Sequence, residues 1–342
     1  MPITNFSILD FYKTNTQYIP VTSPYRVTWF RFPRRTNILL IEGYLYRVWV
    51  YLVSTNFMLS HPNIVEEPAK VVGGHTAFPH EYPFIVSLQT RLFYLRAHVC
   101  GGVLLNEYYV LSAAHCATES WLIRWLPLDA VAGVHNINHF IAQTQAIQVI
   151  QRIPHPRYDG GIGPHDIGLF KTIAPFIYTK VVQPIKLATN FNYGSSDVNL
   201  KLIGWGALST TSFIPDLPNN LQEVQVTYVP YEDCYRAIDH FTEPNEDNPL
   251  DEDSNICTGP LNSGVAACVG DSGGPLLQII KIIPPPDPVE ENTEKYNASL
   301  YNSRLLGIVS WGVSPCGEIG APTVYTNVMT YRYFINYNMN LK

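Results

Sequence analysis

The chain has 342 residues, 46% of them hydrophobic and 15% charged, with a formal net charge of −6. That length and apolar content suit one large or two small folded domains and exclude a disordered or fibrous chain. Residues 1–70 carry seven Lys or Arg and four Asp or Glu, which leaves 15 basic and 24 acidic residues beyond them, so nothing favours nucleic acid as a partner.

Residues 1–37 are rich in Tyr, Thr, Asn and Arg and show no sustained hydrophobic period, which argues against a folded domain of their own. An apolar run of 22 residues follows at 38–59, long enough to span a bilayer but interrupted by Glu42 and Arg47. A secretory h-region is usually shorter and nearer the start. The run therefore reads equally as a signal or signal anchor and as an apolar pro-segment or a wrongly chosen start. Residues 62–69 are short and polar and end at Lys70, an exposed linker that a protease could cut to make Val71 a new N-terminus.

Beyond Val71 the apolar runs are short and β-rich, at 84–89, 103–113, 131–134, 146–153, 201–205, 224–229, 274–279 and 305–311, with Gly, Pro, Asn and Asp between them. That spacing predicts an all-β fold of antiparallel barrels. Only the last segment, with Val328, Tyr331 and Ile335 at three- and four-residue steps, predicts a helix. The six cysteines, Cys100, Cys116, Cys234, Cys257, Cys268 and Cys316, allow 15 pairings. Their spacing fits neither a zinc ribbon nor a redox CxxC, which favours an oxidising, extracellular setting.

The candidate nucleophile is Ser272, in Gly270-Asp271-Ser272-Gly273-Gly274-Pro275. Flanking glycines let backbone N–H groups approach a substrate oxygen closely. A hydroxyl is a weak nucleophile at neutral pH, so it needs a base and a carboxylate to orient that base. His115 closes one apolar strand-like run and Asp166 opens another, giving the chain order His, Asp, Ser.

These residues sit in VVGG at 71–74, SAAHC at 112–116, DIGL at 166–169, GWG at 204–206, GDSGGP at 270–275 and SWG at 310–312. With all six in order, residues 71–342 resemble the trypsin and chymotrypsin family of serine endopeptidases; residues 1–70 lie outside the resemblance. The resemblance implies two antiparallel six-stranded β-barrels with the site between them and a C-terminal helix. It implies the disulfides Cys100–Cys116, Cys234–Cys257 and Cys268–Cys316, and no cofactor. His115 would act as general base and acid, Asp166 would fix its tautomer, and the N–H groups of Gly270 and Ser272 would hold the oxyanion. Cleavage after Lys70 would be the activating event, with the freed α-amino group of Val71 pairing with Asp271. The implied partners are protein or peptide substrates, an activating protease and protein protease inhibitors, met by a secreted monomer.

The family's primary pocket has its base six residues before the nucleophile, here Ala266, with Ala267 beside it. A methyl group there offers a buried Lys or Arg no partner, which argues against tryptic cleavage. Ser310, Trp311 and Gly312 would form a wall, Gly312 keeping the entrance open. Thr323, in Pro322-Thr323-Val324-Tyr325, falls where elastase-like members place a bulky residue, so the two cues disagree. The reading is a moderately deep apolar pocket for Leu, Met, Phe or smaller residues.

Two stretches depart from the family. Between Cys234 and Cys257 lie 22 residues, and 239–253 contain seven acidic ones; they read as a solvated loop flanking the cleft, or as a selector for basic residues away from the scissile bond. The second, 279–302, carries Pro284-Pro285-Pro286-Asp287-Pro288 and must bulge outward, with Asn297-Ala298-Ser299 as a glycosylation sequon. His135 and His139 read as loop residues rather than a zinc pair, and 131–151 lack the Asp or Glu that calcium would need. No metal is expected. The rival reading from another class is a catalytically silent homologue serving as a binding or regulatory module, and a second rival is a protease tethered by 38–59.

Overall fold

Short runs of β-branched and aromatic residues broken by turn formers build strands that cannot bury both faces alone, so they close into barrels. The computed structural model describes residues 27–28, 40–41, 73–92, 95–118, 126–191, 199–207, 217–243, 246–280 and 303–340. The chain divides into two units, Met1–Ser60 and His61–Lys342. In the first, β1 (Val27–Thr28) pairs antiparallel with β2 (Leu40–Ile41). Apart from Leu40 and Ile41, the apolar run at 38–59 lies outside the described residues, as does the linker at 62–70. No helix among the described residues is long and apolar enough to cross a membrane.

The second unit begins with β3 (His75–Thr76) and holds two barrels. In the first barrel β4 (Ile85–Leu92), β5 (Leu95–Leu104), β6 (Tyr109–Ser112), β7 (Leu128–Ala132), β8 (Gln145–Pro154) and β9 (Gly168–Thr172) close in the order β4-β5-β6-β9-β8-β7. After β10 (Lys186–Leu187), the second barrel is made by β11 (Asn199–Gly204), β12 (Gln222–Val229), β13 (Asn255–Gly259), β14 (Pro275–Ile279), β15 (Ser303–Gly312) and β16 (Thr323–Asn327). Its ring closes because β15 pairs with both β14 and β16. Within each barrel every strand pairing is antiparallel, and β10 adds to β15 in parallel.

Three large hydrophobic clusters, with a smaller fourth around Cys234 and Ile238, organise this unit. One is drawn from the first barrel around Leu88, Leu104 and Phe170, and one from the second around Leu200, Leu276 and Tyr325. The third joins residues of both, including Val103, Leu111, Ile203 and Trp205, and adds Tyr331, Phe334 and Ile335. Those last three lie in or just before the helix Arg332–Asn340, so the expected C-terminal helix seals the seam between barrels.

Three sequence expectations change. The run 103–113 is two strands, because Asn106 Oδ1 accepts from the N–H groups of Tyr108 and Tyr109 at 3.0 and 2.9 Å and turns the chain. Strands β13 and β16 were not anticipated; both are buried at every position, which removes the alternation that marks a strand. The acidic stretch after Cys234 is not loop throughout, since Tyr231–Phe241 is a helix of 11 residues. Only Cys234 and Ile238 of it are buried, too narrow an apolar stripe to read from sequence, while Glu232 and Asp233 favour its N-terminus.

Candidate active site

Strand β6 delivers the chain to a short helix, α1 (His115–Thr118), and Asp166 stands two residues before β9, so the β6–β9 pairing brings His115 and Asp166 together. His115 N–H donates to Asp166 Oδ1 at 2.9 Å, and His115 Nδ1 donates to Oδ2 at 2.7 Å. Because a carboxylate only accepts, Nδ1 carries the proton in this contact, and in the neutral ring that leaves the lone pair on Nε2. Ser310 Oγ, from β15, donates to the same Oδ2 at 2.6 Å, and Thr326 Oγ1, from β16, donates to the Asp166 carbonyl at 2.7 Å. Asp166 is 1% exposed, so both barrels fix a buried carboxylate.

The residue before it is held as firmly. His165 has φ 66°, costly for a residue with a Cβ. Tyr331 Oη lies 3.2 Å from the His165 N–H and 2.7 Å from its Nδ1. The His165 ring stacks on His155 at 5.0 Å, and burial pushes the His155 pKa down to about 4.

Ser272 lies in a turn closed by Asp271 N–H to Cys268 O and Gly274 N–H to Asp271 O, at 2.9 and 2.8 Å. Gly101 N–H donates to Ser272 O at 2.8 Å, and Cys116 Sγ lies 3.9 Å from that oxygen. The half-buried Ser272 therefore sits against the disulfide that ends beside His115. Gly273 has φ +74°, and a Cβ there would lie 2.0 Å from Ser112 Oγ and 2.9 Å from Ala113 N. Only glycine allows this turn to reach the SAAHC segment.

Asp271 is fully buried. Its Oδ1 accepts from Gly206 N–H at 2.7 Å and its Oδ2 from Cys268 N–H at 2.9 Å. A Cβ at Gly206 would lie 2.1 Å from the carboxylate, which explains the glycine in GWG. Among the described residues no cation faces Asp271, and burial pushes its pKa up to about 6. Gly270, one residue earlier, is held from the other side. His98 Nε2 donates to Gly270 O at 2.9 Å, and Ser87 Oγ donates to His98 Nδ1 at 2.7 Å. Burial lowers the His98 pKa to about 4, so the ring is neutral.

Ala266 is buried and Ala267 half-buried. Thr323 pairs directly opposite Gly312 in the β15–β16 ladder, and its Oγ1 accepts from Ala267 N–H at 3.0 Å. Its hydroxyl is thus engaged with the backbone of the expected pocket base. A Cβ on Gly312 would meet only Pro322 O, at 3.8 Å, so the opposing wall is open. Ser310 is buried and Trp311 half-buried beside it.

The three disulfides are Cys100–Cys116, Cys234–Cys257 and Cys268–Cys316, the pairing the resemblance implied. Cys100, Cys116 and His115 bring possible metal-ligating atoms within 4.8 Å, but both sulfurs are spent in the disulfide. Lys70, Val71 and Asn297 lie outside the described residues. Four residues of the site were not singled out for these contacts: Thr326, Tyr331, His98 and Ser87. Ser310 was read only as a pocket wall, although its place in SWG was a usable signal.

Over residues 71–335 the sequence matches the family model described as Trypsin. The chain belongs to the trypsin family. It is 36% identical over 267 residues to a lectizyme of Glossina austeni, covering 75% of this chain and 82% of the relative. It is 28% identical over 277 residues to human kallikrein-14, covering 81% and 87%, and 34% identical over 212 residues to rat granzyme-like protein 1, covering 62% and 78%. Membership in the trypsin family supports the general class of serine endopeptidases, and the two barrels are its chymotrypsin-like fold.

Proposed function

We propose that this chain is the secreted zymogen of an active serine endopeptidase with an apolar primary pocket. The observation that carries the reading is the buried Asp166 carboxylate, which accepts from His115 N–H, His115 Nδ1 and Ser310 Oγ while the Ser272 turn packs on the disulfide next to His115. His115 Nε2 takes the Ser272 proton as Oγ attacks the peptide carbonyl, and returns it to the leaving amine. Asp166 holds the tautomer and stabilises the imidazolium. The N–H groups of Gly270 and Ser272 receive the oxyanion.

Cleavage after Lys70 is the activating step. The new α-amino group of Val71 supplies the cation that the buried Asp271 lacks among the described residues, and the ion pair orders the Gly270 turn. Three disulfides support an extracellular setting. Substrates are proteins or peptides with Leu, Met, Phe or smaller apolar residues before the scissile bond, because Ala266 offers no charge and Gly312 leaves the entrance open. An activating protease and protein inhibitors complete the partners of a monomer.

The test is to cut the purified chain after Lys70 and profile it on a peptide library varied before the scissile bond, with Ser272→Ala as control. Turnover after large apolar residues is expected. Cutting after Lys or Arg would contradict the pocket reading, and silence at every residue would favour a non-catalytic homologue.

A further inference from the structure

The first residues after the expected cut run along the second barrel. Gly73 has φ +87°, and a Cβ there would lie 2.6 Å from Val265 Cγ2, beside the expected pocket base Ala266. Gly74 is buried, and β3 then pairs with β12, His75 opposite Glu223 and Thr76 opposite Gln222. Ala77 N–H donates to Leu221 O at 2.9 Å, and Ala77 is buried among residues of both barrels. Val71 and Val72 precede this path and lie outside the described residues.

A ladder of two residues specifies its register weakly. A slip by one residue moves the chain along by about 3.3 Å and turns every side chain to the opposite face. Side chains therefore have to pin it. Gln222 Nε2 donates to Thr76 Oγ1 at 3.2 Å. His75 Nε2 lies 2.8 Å from Glu223 Oε1, and the two side chains are 71% and 6% exposed. The histidine stands at the surface while its carboxylate partner is buried.

That carboxylate is held by the barrel itself. Glu223 lies opposite Ile203 on β11, and Lys201, two residues earlier on that strand, shares the same face. Lys201 Nζ donates to Glu223 Oε2 at 2.9 Å and to Tyr82 Oη at 3.1 Å. The Tyr82 hydroxyl donates to the same Oε2, which leaves Oε1 for His75. Burial acts to raise the Glu223 pKa, but the Tyr82 hydroxyl, Lys201 and His75 together hold it below its ordinary value, so the group is an anion. Glu81, the other carboxyl near it, is pushed up by burial and by Glu223. A buried ion cluster is poor evidence of stability and is best attested as a device that sets register.

We infer that Glu223 and His75 are positioning residues for activation. The buried carboxylate pins His75, fixes the register of β3, and so sets how far the new α-amino group of Val71 reaches toward Asp271. This rests on the activating cleavage after Lys70 proposed above. A slip of one residue would misplace that amino group by far more than the spread of hydrogen-bond lengths. Neither side chain belongs to the triad or the pocket, and both act through the segment that β3 carries.

The experiment compares the unsubstituted chain, His75→Ala and Glu223→Gln, each cut after Lys70. Two rates are measured: fluorophosphonate labelling of Ser272, and carbamylation of the Val71 α-amino group by cyanate, located by mass spectrometry. His75→Ala should slow labelling about threefold and speed carbamylation by a similar factor, the size of one exposed pair. Saturating Val-Val dipeptide offers Asp271 an untethered ammonium and should restore the unsubstituted labelling rate. Glu223→Gln should act in the same direction and more strongly. Since it also strips a partner from Lys201 and Tyr82, the exposed His75→Ala keeps the test independent of folding. The double variant should be no slower than Glu223→Gln alone, because both substitutions remove one contact.

Unchanged labelling and carbamylation in His75→Ala overturn the proposal. Slow labelling that the dipeptide does not restore also overturns it, because the defect would then lie in the fold and not in the reach of Val71. The activation step fails separately, if cleavage after Lys70 leaves Ser272 labelling of the unsubstituted chain unchanged. Carbamylation then decides the pin alone: a faster rate in His75→Ala supports it, and an equal rate overturns it.

Discussion

Asp166 is the residue on which both barrels converge, and its supports differ in kind. Ser310→Ala removes one of three hydrogen bonds to its carboxylate; loss of a bond to a charged group costs about 1.5–3 kcal/mol, so kcat should fall at least about tenfold, measured by steady-state hydrolysis. Tyr331→Phe removes the hydroxyl beside both His165 N and Nδ1, leaving the positive φ of His165 unsupported. It should lower both kcat and Tm, and adding His165→Gly should restore part of the turnover because glycine takes that backbone without strain. If the double variant were no better than Tyr331→Phe alone, the hydroxyl would not act through that backbone. Ser272, His115 and Asp166 were legible because each lies in a short motif whose neighbours have their own steric reasons, such as Gly273 against Ser112. Thr326, Tyr331 and His98 were not, because each meets its partner across 160, 166 and 172 residues of chain. No local pattern marks such a pair.

At the scale of elements, the strands that sequence revealed alternate or carry continuous apolar runs, whereas β13 and β16 hide Asn255, Thr258, Thr323 and Thr326 in the interior. Polar residues in a strand look like loop until their partners are known, here Tyr325 for Thr258 and the Asp166 carbonyl for Thr326. The helix Tyr231–Phe241 was missed for a related reason, since its packing rests on Ile238 and the cystine at Cys234 in a small cluster with Leu250 and Val324. Ile238→Ala should cost about 2–4 kcal/mol in denaturant unfolding, a buried truncation. Arg236→Ala, which loses only an exposed pair with Asp233, should stay within about 0.5 kcal/mol. Equal losses would mean that the helix is held by its surface charges.

Across the whole molecule, buried ionisable groups set an acid limit and an activation signature. His98, shifted down to about 4, stays neutral while the unfolded chain protonates near 6.5, so its contribution is present at pH 7 and lost as pH falls, by about 2 kcal/mol at pH 5. Asp271, shifted up to about 6, has the opposite sign and returns about 1.3 kcal/mol over the same interval. The raised pKa of Glu81 sides with Asp271, and the lowered pKa values of His80, His135, His155 and His165 side with His98. Four histidines against one carboxyl leave stability lower at pH 5 than at pH 7, which urea unfolding at the two pH values checks. In the chain cut after Lys70, an ammonium at Asp271 would lower that carboxyl's pKa, so the cut form should gain stability over the uncut form at pH 7 and lose that gain toward pH 4. The most direct measurement of the central claim is fluorophosphonate labelling of the chain before and after cleavage following Lys70, with the modified residue located by mass spectrometry. The account predicts slow labelling before cleavage and rapid labelling of Ser272 after it, abolished by His115→Ala. Absence of label on Ser272 in the cut chain, or equal rates in the two forms, would contradict it.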